Sequence, residues 1–368
     1  MFHTRAAVLN RVGDPLSIET LGLVEPGAGE VRVRIAASGI CHSDLRVVRG
    51  EWKRNLPVVL GHEGAGVVDA VGPGVTGLVP GDHVVLSWTP FCGRCVNCVT
   101  GRPVLCQVAE STRGTMSDRA WRLSRGDEPV YSGAGVGAFA EYTVVPETGT
   151  IKVRPDVPFE IGAIVGCAVM TGVGAVINTA GIRPGASVAI IGCGGVGLSA
   201  VLGAKLVSAG KIIAIDVVDD KLALAQELGA THIINARETD VLGEIQRITG
   251  GVGVGYALEA IGNARTIEVA YGALAPGGTA VVVGQVSDNQ TITIDPMRMS
   301  DRELTIRGSN YGSARPTIDI PMLLDLYANG ALDLDPLVTT TLQLSDINDG
   351  LAELEGGRGV RNVILQGQ

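Results

Sequence analysis

At 368 residues the chain is long enough for two domains that each bury a core of their own. Its formal charge of −9, with no basic runs, excludes a nucleic-acid binder, whose phosphate contacts need clustered Lys and Arg. Fifty-two glycines and 4% aromatic residues point to tight turns and small-residue packing in a soluble α/β protein.

Residues 1–10 show neither an apolar signal core nor a small-residue cleavage site, so a cytoplasmic protein is expected. Two uncharged stretches, 161–182 and 186–204, are long enough to cross a bilayer. Both are dense in Gly, and the second divides into a β-branched run, a glycine turn and a helix-like segment. Both therefore read as buried α/β elements, with no membrane partner. Seven cysteines in such a chain point to metal or reactivity before disulfides.

Residues 6–9 and 30–35 read as strands around a turn at Gly13-Asp14-Pro15, an antiparallel start. Next, Gly39-Ile40-Cys41-His42-Ser43-Asp44 places a thiol on a turn that leads into a short helix over 45–49. Gly61-His62-Glu63 and Gly81–Val85 then bring apolar pairs punctuated by Gly, the texture of a small, strongly bent β-barrel. Cys41 and His62, with carboxylates beside them, outline a metal site. A catalytic zinc takes three protein ligands and keeps a fourth position open, so one ligand is still to be found. Alone, His62 and Glu63 also fit a satisfied core histidine beside a surface glutamate.

Cys92, Cys95, Cys98 and Cys106, spaced x2, x2 and x7, can close a tetrahedron around Zn²⁺ with no position left for water. This is a structural site. Residues 107–135 are polar and Gly-rich and read as a long loop, 138–145 as a strand, and 151–153 as the close of the first region. A helix is expected over 161–180, containing Cys167 and Thr171; by itself Cys167 reads as inert packing.

From Ser187 the texture changes. Ser187–Ile191 reads as a buried parallel strand, and the turn Gly192-Cys193-Gly194-Gly195-Val196-Gly197 opens a helix over 198–209. A second strand over 211–215 ends at Asp216. Between strand and helix, such a turn lets backbone N–H groups and the helix N-terminus meet a pyrophosphate. Asp216 is then a ribose ligand that disfavours a 2′-phosphate, or else a cap for the helix 219–228. Cys193 has no other ligands nearby and fills space. The alternation continues with strands at 231–235, 255–258 and 279–284 and helices from Thr239 and over 264–274, a doubly wound sheet. Beyond Asn310, helices over 318–329 and 346–355 and a strand over 362–365 return to the first region.

With these pieces assembled, the chain resembles the zinc-dependent medium-chain alcohol dehydrogenases over nearly its whole length. The resemblance rests on Gly61-His62-Glu63-x2-Gly66-x5-Gly72-x2-Val75, on the four-cysteine lobe, on the glycine turn and on the order of parts. It implies a GroES-like β-barrel-type catalytic domain from residues 1–168 and 311–368, with a structural zinc lobe at about 90–108, and an NAD-binding Rossmann domain over 169–310. It also implies NAD and two Zn²⁺ per subunit. Cys167 becomes the third catalytic zinc ligand beside Cys41 and His62, and Glu63 a conditional carboxylate ligand. Asp44 orients His62, and Ser43 takes the substrate proton. His42 and Arg361 match pyrophosphate contacts, Thr171 a nicotinamide contact, and Asp216 with Lys221 the ribose contacts.

Arg46 stands where several relatives keep a proton-relaying histidine, a task no arginine performs. Trp52 and Trp88 match substrate-pocket positions, which favours a hydrophobic or aromatic primary alcohol. The glutathione-dependent formaldehyde branch keeps an arginine just past the fourth lobe cysteine. Val108-Ala109-Glu110 offers none, which makes that branch the alternative, alongside an enzyme that retains its nicotinamide. The long 107–135 segment resembles the dimeric branch, so a homodimer is expected.

Overall fold

The computed structural model describes residues 2–108, 121–287 and 290–367. The chain divides into two units. One comprises Met1–Cys167, Arg315–Gly330 and Leu334–Gln368; the other comprises Ala168–Ala314 with Ala331–Asp333.

The first unit opens with β1 (Phe2–Leu9), β2 (Ser17–Leu23) and β3 (Glu30–Gly39). In β3 the alternation is plain: Val31, Val33 and Ile35 point inward while Arg34 is exposed. There follow β4 (Val58–Val59), β5 (Glu63–Val71), β6 (His83–Leu86), β7 (Leu123–Arg125), β8 (Glu128–Ser132), β9 (Tyr142–Pro146) and β10 (Thr150–Lys152). A closed barrel runs β1-β2-β7-β8-β4, and a second sheet runs β10-β6-β5-β3 with β9 also paired to β3. Gly61 bends the chain into β5 with φ +87°, where a Cβ would stand 2.6 Å from the Phe139 ring.

The hairpin β7–β8 corrects the expectation of a loop across 107–135. Gly126 and Asp127 make its turn, while Leu123 and Val130, paired across it, face the core. One inward residue per strand is too short a pattern for periodicity to register. Residues 109–120 of that expected loop, and with them Ala109 and Glu110, lie outside the described residues.

A helical run, Phe159–Ala180, carries the chain from the first unit into the second. It is long and apolar enough to span a membrane, yet 89% of that window is buried inside the protein. Two of its stretches, Val165–Val169 and Ala175–Ala180, are π-helical.

The second unit is a six-stranded parallel sheet built from β11 (Ser187–Ile191), β12 (Lys211–Asp216), β13 (His232–Asn235), β14 (Val254–Glu259), β15 (Leu274–Val282) and β16 (Thr305–Gly308). Their order is β13-β12-β11-β14-β15-β16, doubly wound, with helices Gly195–Leu206, Asp219–Leu228, Val241–Thr249 and Ala264–Gly272 as crossovers. The last of these corrects the expected helix over 264–274. It stops at Gly272, and Leu274 already opens β15. The helix Pro296–Asp301 and the edge strand β16 were not expected, because β16 is mostly exposed and shows no apolar run.

The chain then returns to the first unit through helix Pro316–Ala328, β17 (Val338–Leu342), helix Ile347–Glu355 and β18 (Arg361–Leu365). β18 lies antiparallel to β3, with Val363 opposite Gly39, and β17 flanks it. This pairing sets Arg361 beside the turn that holds Cys41.

Candidate active site

β3 ends at Gly39, and Cys41 caps the N-terminus of helix His42–Val48. Glu63 opens β5 opposite Gly39, with His62 just ahead of it. Cys167 sits in the π-helical segment Val165–Val169, a distortion common at functional sites. One ligand atom from each of Cys41, His62, Glu63 and Cys167 lies within 4.8 Å of the others, and all four residues are buried. The structure thus brings together residues that spacing alone left apart.

Asp44 ties the two ligand-bearing turns together. Its Oδ1 stands 3.2 Å from His62 Nδ1 and accepts the Gly61 N–H at 3.1 Å, while Oδ2 accepts the Cys41 N–H at 3.1 Å. With Nδ1 so engaged, His62 presents Nε2 to the cluster. Burial would lower His62, but the Asp44 carboxylate outweighs it and holds the imidazole well above its ordinary range. The Cys167 thiol, hydrogen-bonded to Cys41, holds Cys41 well below the usual thiol range, and Cys167 itself is pushed up. Of the two sulfurs Cys41 is the more acidic. Binding a dication takes both as thiolates.

Glu63 is wholly buried and neither of its carboxylate oxygens accepts a hydrogen bond; the nearest cation is Arg361, with Nη2 at 3.6 Å. Burial pushes Glu63 up to about 8 against the pull of Arg361. An orphaned buried carboxylate beside two thiols and an imidazole fits a metal centre by the chemistry of its donors. Ser43 lies alongside, its Oγ 3.7 Å from Cys41 Sγ.

The cysteine lobe fits a second zinc. Its sulfur pairs Cys95–Cys98, Cys92–Cys98 and Cys95–Cys106 are 3.5, 4.0 and 4.0 Å apart. A tetrahedron of thiolates around Zn²⁺ has edges of about 3.8 Å. The Cys95 and Cys92 N–H groups donate to Cys92 Sγ and Cys106 Sγ, both at 3.3 Å. Backbone donors at Cys98 and Gln107 hold Cys95 at about 6.

The expected pocket residues lie in the first unit. Trp52 packs half-buried on the barrel core, and Trp88 on the core of the second sheet. His42 is exposed on the first turn of its helix.

In the second unit the glycine turn has the required shape. Gly192 has φ +94°, and a Cβ on Gly197 would stand 1.7 Å from the Gly192 carbonyl oxygen, so helix and strand approach as only Gly permits. A Cβ on Gly194 would meet nothing within 4 Å, which leaves room for a ligand against the backbone. Gly195 and Val196 start the helix. Asp216 Oδ2 accepts the Cys193 N–H at 2.6 Å, and Oδ1 accepts those of Val217 and Val218 at 2.7 and 3.1 Å. The cap position of helix Asp219–Leu228 belongs to Val218. Lys221 lies half-buried on the first turn of that helix, and Thr171 half-buried in Phe159–Ala180. Cys193 is fully buried with Sγ 3.8 Å from the Ile215 carbonyl.

Glu259 was missed. Fully buried at the end of β14, it accepts the N–H groups of Ile261 and Gly262 and the Thr266 hydroxyl at 3.0, 2.8 and 2.7 Å. It fixes the loop at the point where the strand order reverses, the place where such sheets bind ligands. An acid closing an apolar strand two residues before Ile261-Gly262 was the available signal.

Comparison with known proteins agrees with this geometry. Residues 27–155 match the family model described as an alcohol dehydrogenase GroES-like domain, and residues 195–329 that of a zinc-binding dehydrogenase. The chain is 39% identical to S-(hydroxymethyl)glutathione dehydrogenase of Paracoccus denitrificans over 99% of its own length and 100% of the relative's. It is 38% identical to the NDMA-dependent alcohol dehydrogenase of Amycolatopsis methanolica over 98% of each. The structure of benzyl alcohol dehydrogenase from Acinetobacter calcoaceticus matches with a TM-score of 0.95 at 36% identity, over 99% of each chain. With two zinc-fitting donor sets on this scaffold and relatives aligned end to end, the chain belongs to the zinc-dependent medium-chain alcohol dehydrogenases.

Proposed function

We propose that the chain transfers hydride between a primary alcohol and NAD, and that the alcohol is the hydroxymethyl adduct of formaldehyde with glutathione. The convergence of Cys41, His62 and Cys167 with the orphaned Glu63 carries the reaction type. The substrate follows the names of relatives at 38–39% identity over essentially the whole chain. These names weigh more than the lack of an arginine in Val108-Ala109-Glu110, which had made this branch the alternative. An aromatic alcohol is the second reading, favoured by Trp52, Trp88 and the benzyl alcohol dehydrogenase match.

Bound here, Zn²⁺ supplies Lewis acidity toward the substrate hydroxyl and NAD⁺ the hydride acceptor. Asp44 holds His62 in one tautomer and both ligand turns in register. Ser43, beside Cys41, takes the hydroxyl proton. That proton then leaves by a group other than Arg46, which stays charged. We assign residues 169–310 to cofactor binding. There the glycine turn receives the pyrophosphate, Thr171 meets the nicotinamide, and Asp216 with Lys221 binds the ribose and disfavours a 2′-phosphate; in the first unit His42 and Arg361 keep the pyrophosphate role the family resemblance implies. The assembly proposed is a homodimer with two zincs per subunit.

The test is absorbance of the reduced cofactor when zinc-loaded protein and NAD⁺ meet formaldehyde with glutathione, or benzyl alcohol. Turnover that needs both glutathione and formaldehyde is expected. Turnover of benzyl alcohol alone would transfer the assignment to the second reading. Inertness toward both, with two zincs bound, would overturn the activity. Nicotinamide co-eluting with the protein on gel filtration would show a retained cofactor.

A further inference from the structure

In a chain of formal charge −9, residues 46–54 carry four cations, Arg46, Arg49, Lys53 and Arg54, against Glu51 alone. Their arrangement is specific. The guanidinium carbons of Arg46 and Arg54 stand over the Trp52 ring, 5.5 and 5.8 Å from its centroid. Trp52 and Glu51 both donate their N–H groups to the Arg46 carbonyl, at 3.2 and 2.9 Å, which folds the segment back onto helix His42–Val48. Trp52 also rests on the barrel core, so the ring is fixed from both sides. Arg49 is paired with Glu355. The Glu51 carboxylate is divided between Arg46 at 3.8 Å and Arg49 at 3.6 Å, and Arg54 Nη1 donates to the Lys53 carbonyl at 2.8 Å.

The cluster lies one helical turn from the chemistry. Ser43 and Arg46 are three residues apart on one helix face, with Cβ atoms about 5–6 Å apart. Ser43 Oγ in turn stands 3.7 Å from Cys41 Sγ. The helix face that carries Ser43 thus also carries Arg46, whose guanidinium stands over the Trp52 ring. A guanidinium held against a ring uses its π-face there, and its planar fork matches a carboxylate.

We infer that Arg46, Trp52 and Arg54 form a carboxylate-reading rim that selects anionic primary alcohols over neutral ones of the same shape. It rests on the dehydrogenase reading above, and it places within residues 46–54 an anion contact that the sequence Val108-Ala109-Glu110 does not carry.

The test compares kcat/KM for 4-(hydroxymethyl)benzoate and benzyl alcohol on the zinc- and NAD⁺-loaded protein. The native chain favours the carboxylate, and Arg54→Gln lowers that preference about tenfold, chiefly through KM. Arg54→Lys recovers part of it, and added salt weakens it. A preference unchanged by both Arg54→Gln and Arg46→Gln overturns the rim. So does a rise in the NAD⁺ KM that is equal with both alcohols, since the cluster would then read the cofactor. Calorimetric titration with 4-methylbenzoate, which cannot be oxidised, reads the rim without turnover. Binding weakened about tenfold in Arg54→Gln supports the rim even where neither alcohol reacts, and in that case the dehydrogenase reading alone falls. Equal binding by the native and variant chains overturns the rim.

Discussion

The two zinc-fitting sites are built in opposite ways. The lobe draws four sulfurs from residues 92–106, on turns and a four-residue helix, three on half-buried cysteines and one on the buried Cys106, with backbone N–H groups donating to sulfur. The other set gathers Cys41 from a helix cap, His62 and Glu63 from the start of β5, and Cys167 from a π-helical segment, all buried. The local set determines its own geometry and closes on a metal as a staple. The dispersed set takes its geometry from the second sheet, a helix and the returning strand, so a position can stay open for substrate.

Substitutions can break or sharpen that contrast. Cys167→Ser has the largest expected effect: one zinc lost and turnover down about a thousandfold with the circular dichroism spectrum kept. Retention of two zincs with native turnover would place the metal elsewhere. Ser43→Ala lowers kcat about a hundredfold while both zincs remain, which separates proton transfer from metal binding in one metal analysis and one rate. Asp44→Asn weakens metal affinity or activity about 10–100-fold, because a neutral amide replaces the charged acceptor of His62 and its NH2 cannot serve as the second acceptor that Oδ2 provides to the Cys41 N–H. A competition titration against a chromophoric chelator measures this, and an unchanged affinity would reduce Asp44 to a turn-former. Cys106→Ser acts chiefly on stability, lowering Tm by roughly 5 °C with the loss of one zinc. A larger loss in kcat than in Tm would erase the distinction between the two sites.

The same contrast explains what could be read in advance. The lobe was legible because its ligands are sequence neighbours, and the glycine turn because strand, turn and helix follow one another in a fixed order. β11, β12 and helix Asp219–Leu228 were recognisable from local pattern alone. The dispersed centre was legible only in outline, from Cys41 and His62 with the carboxylates beside them. Cys167 looked like packing until a family resemblance supplied its partners, and the approach of Arg361 to Glu63 depends on β18 lying beside β3. The β7–β8 hairpin escaped because its strands each bury a single apolar residue, and Leu274 fitted a helix end as readily as a strand start. The stack of Arg46 and Arg54 on Trp52 was invisible because it depends on a hydrogen-bonded turn, not on spacing.

The late return of β18 to β3 also sets an order of events during synthesis. Residues 168–314 form a nearly contiguous unit that can close as soon as it leaves the ribosome. The barrel-bearing unit cannot. Translation needs roughly 10–40 s to proceed from Cys167 to Arg361. Through that interval the Ala37–Gly39 stretch of β3 lacks the strand that later covers it, and an uncovered edge invites pairing with other chains. The strand that brings Arg361 to Glu63 is the same one that seals this edge. A nascent chain stalled before residue 361 is therefore aggregation-prone and leaves the buried Glu63 without its Arg361 partner.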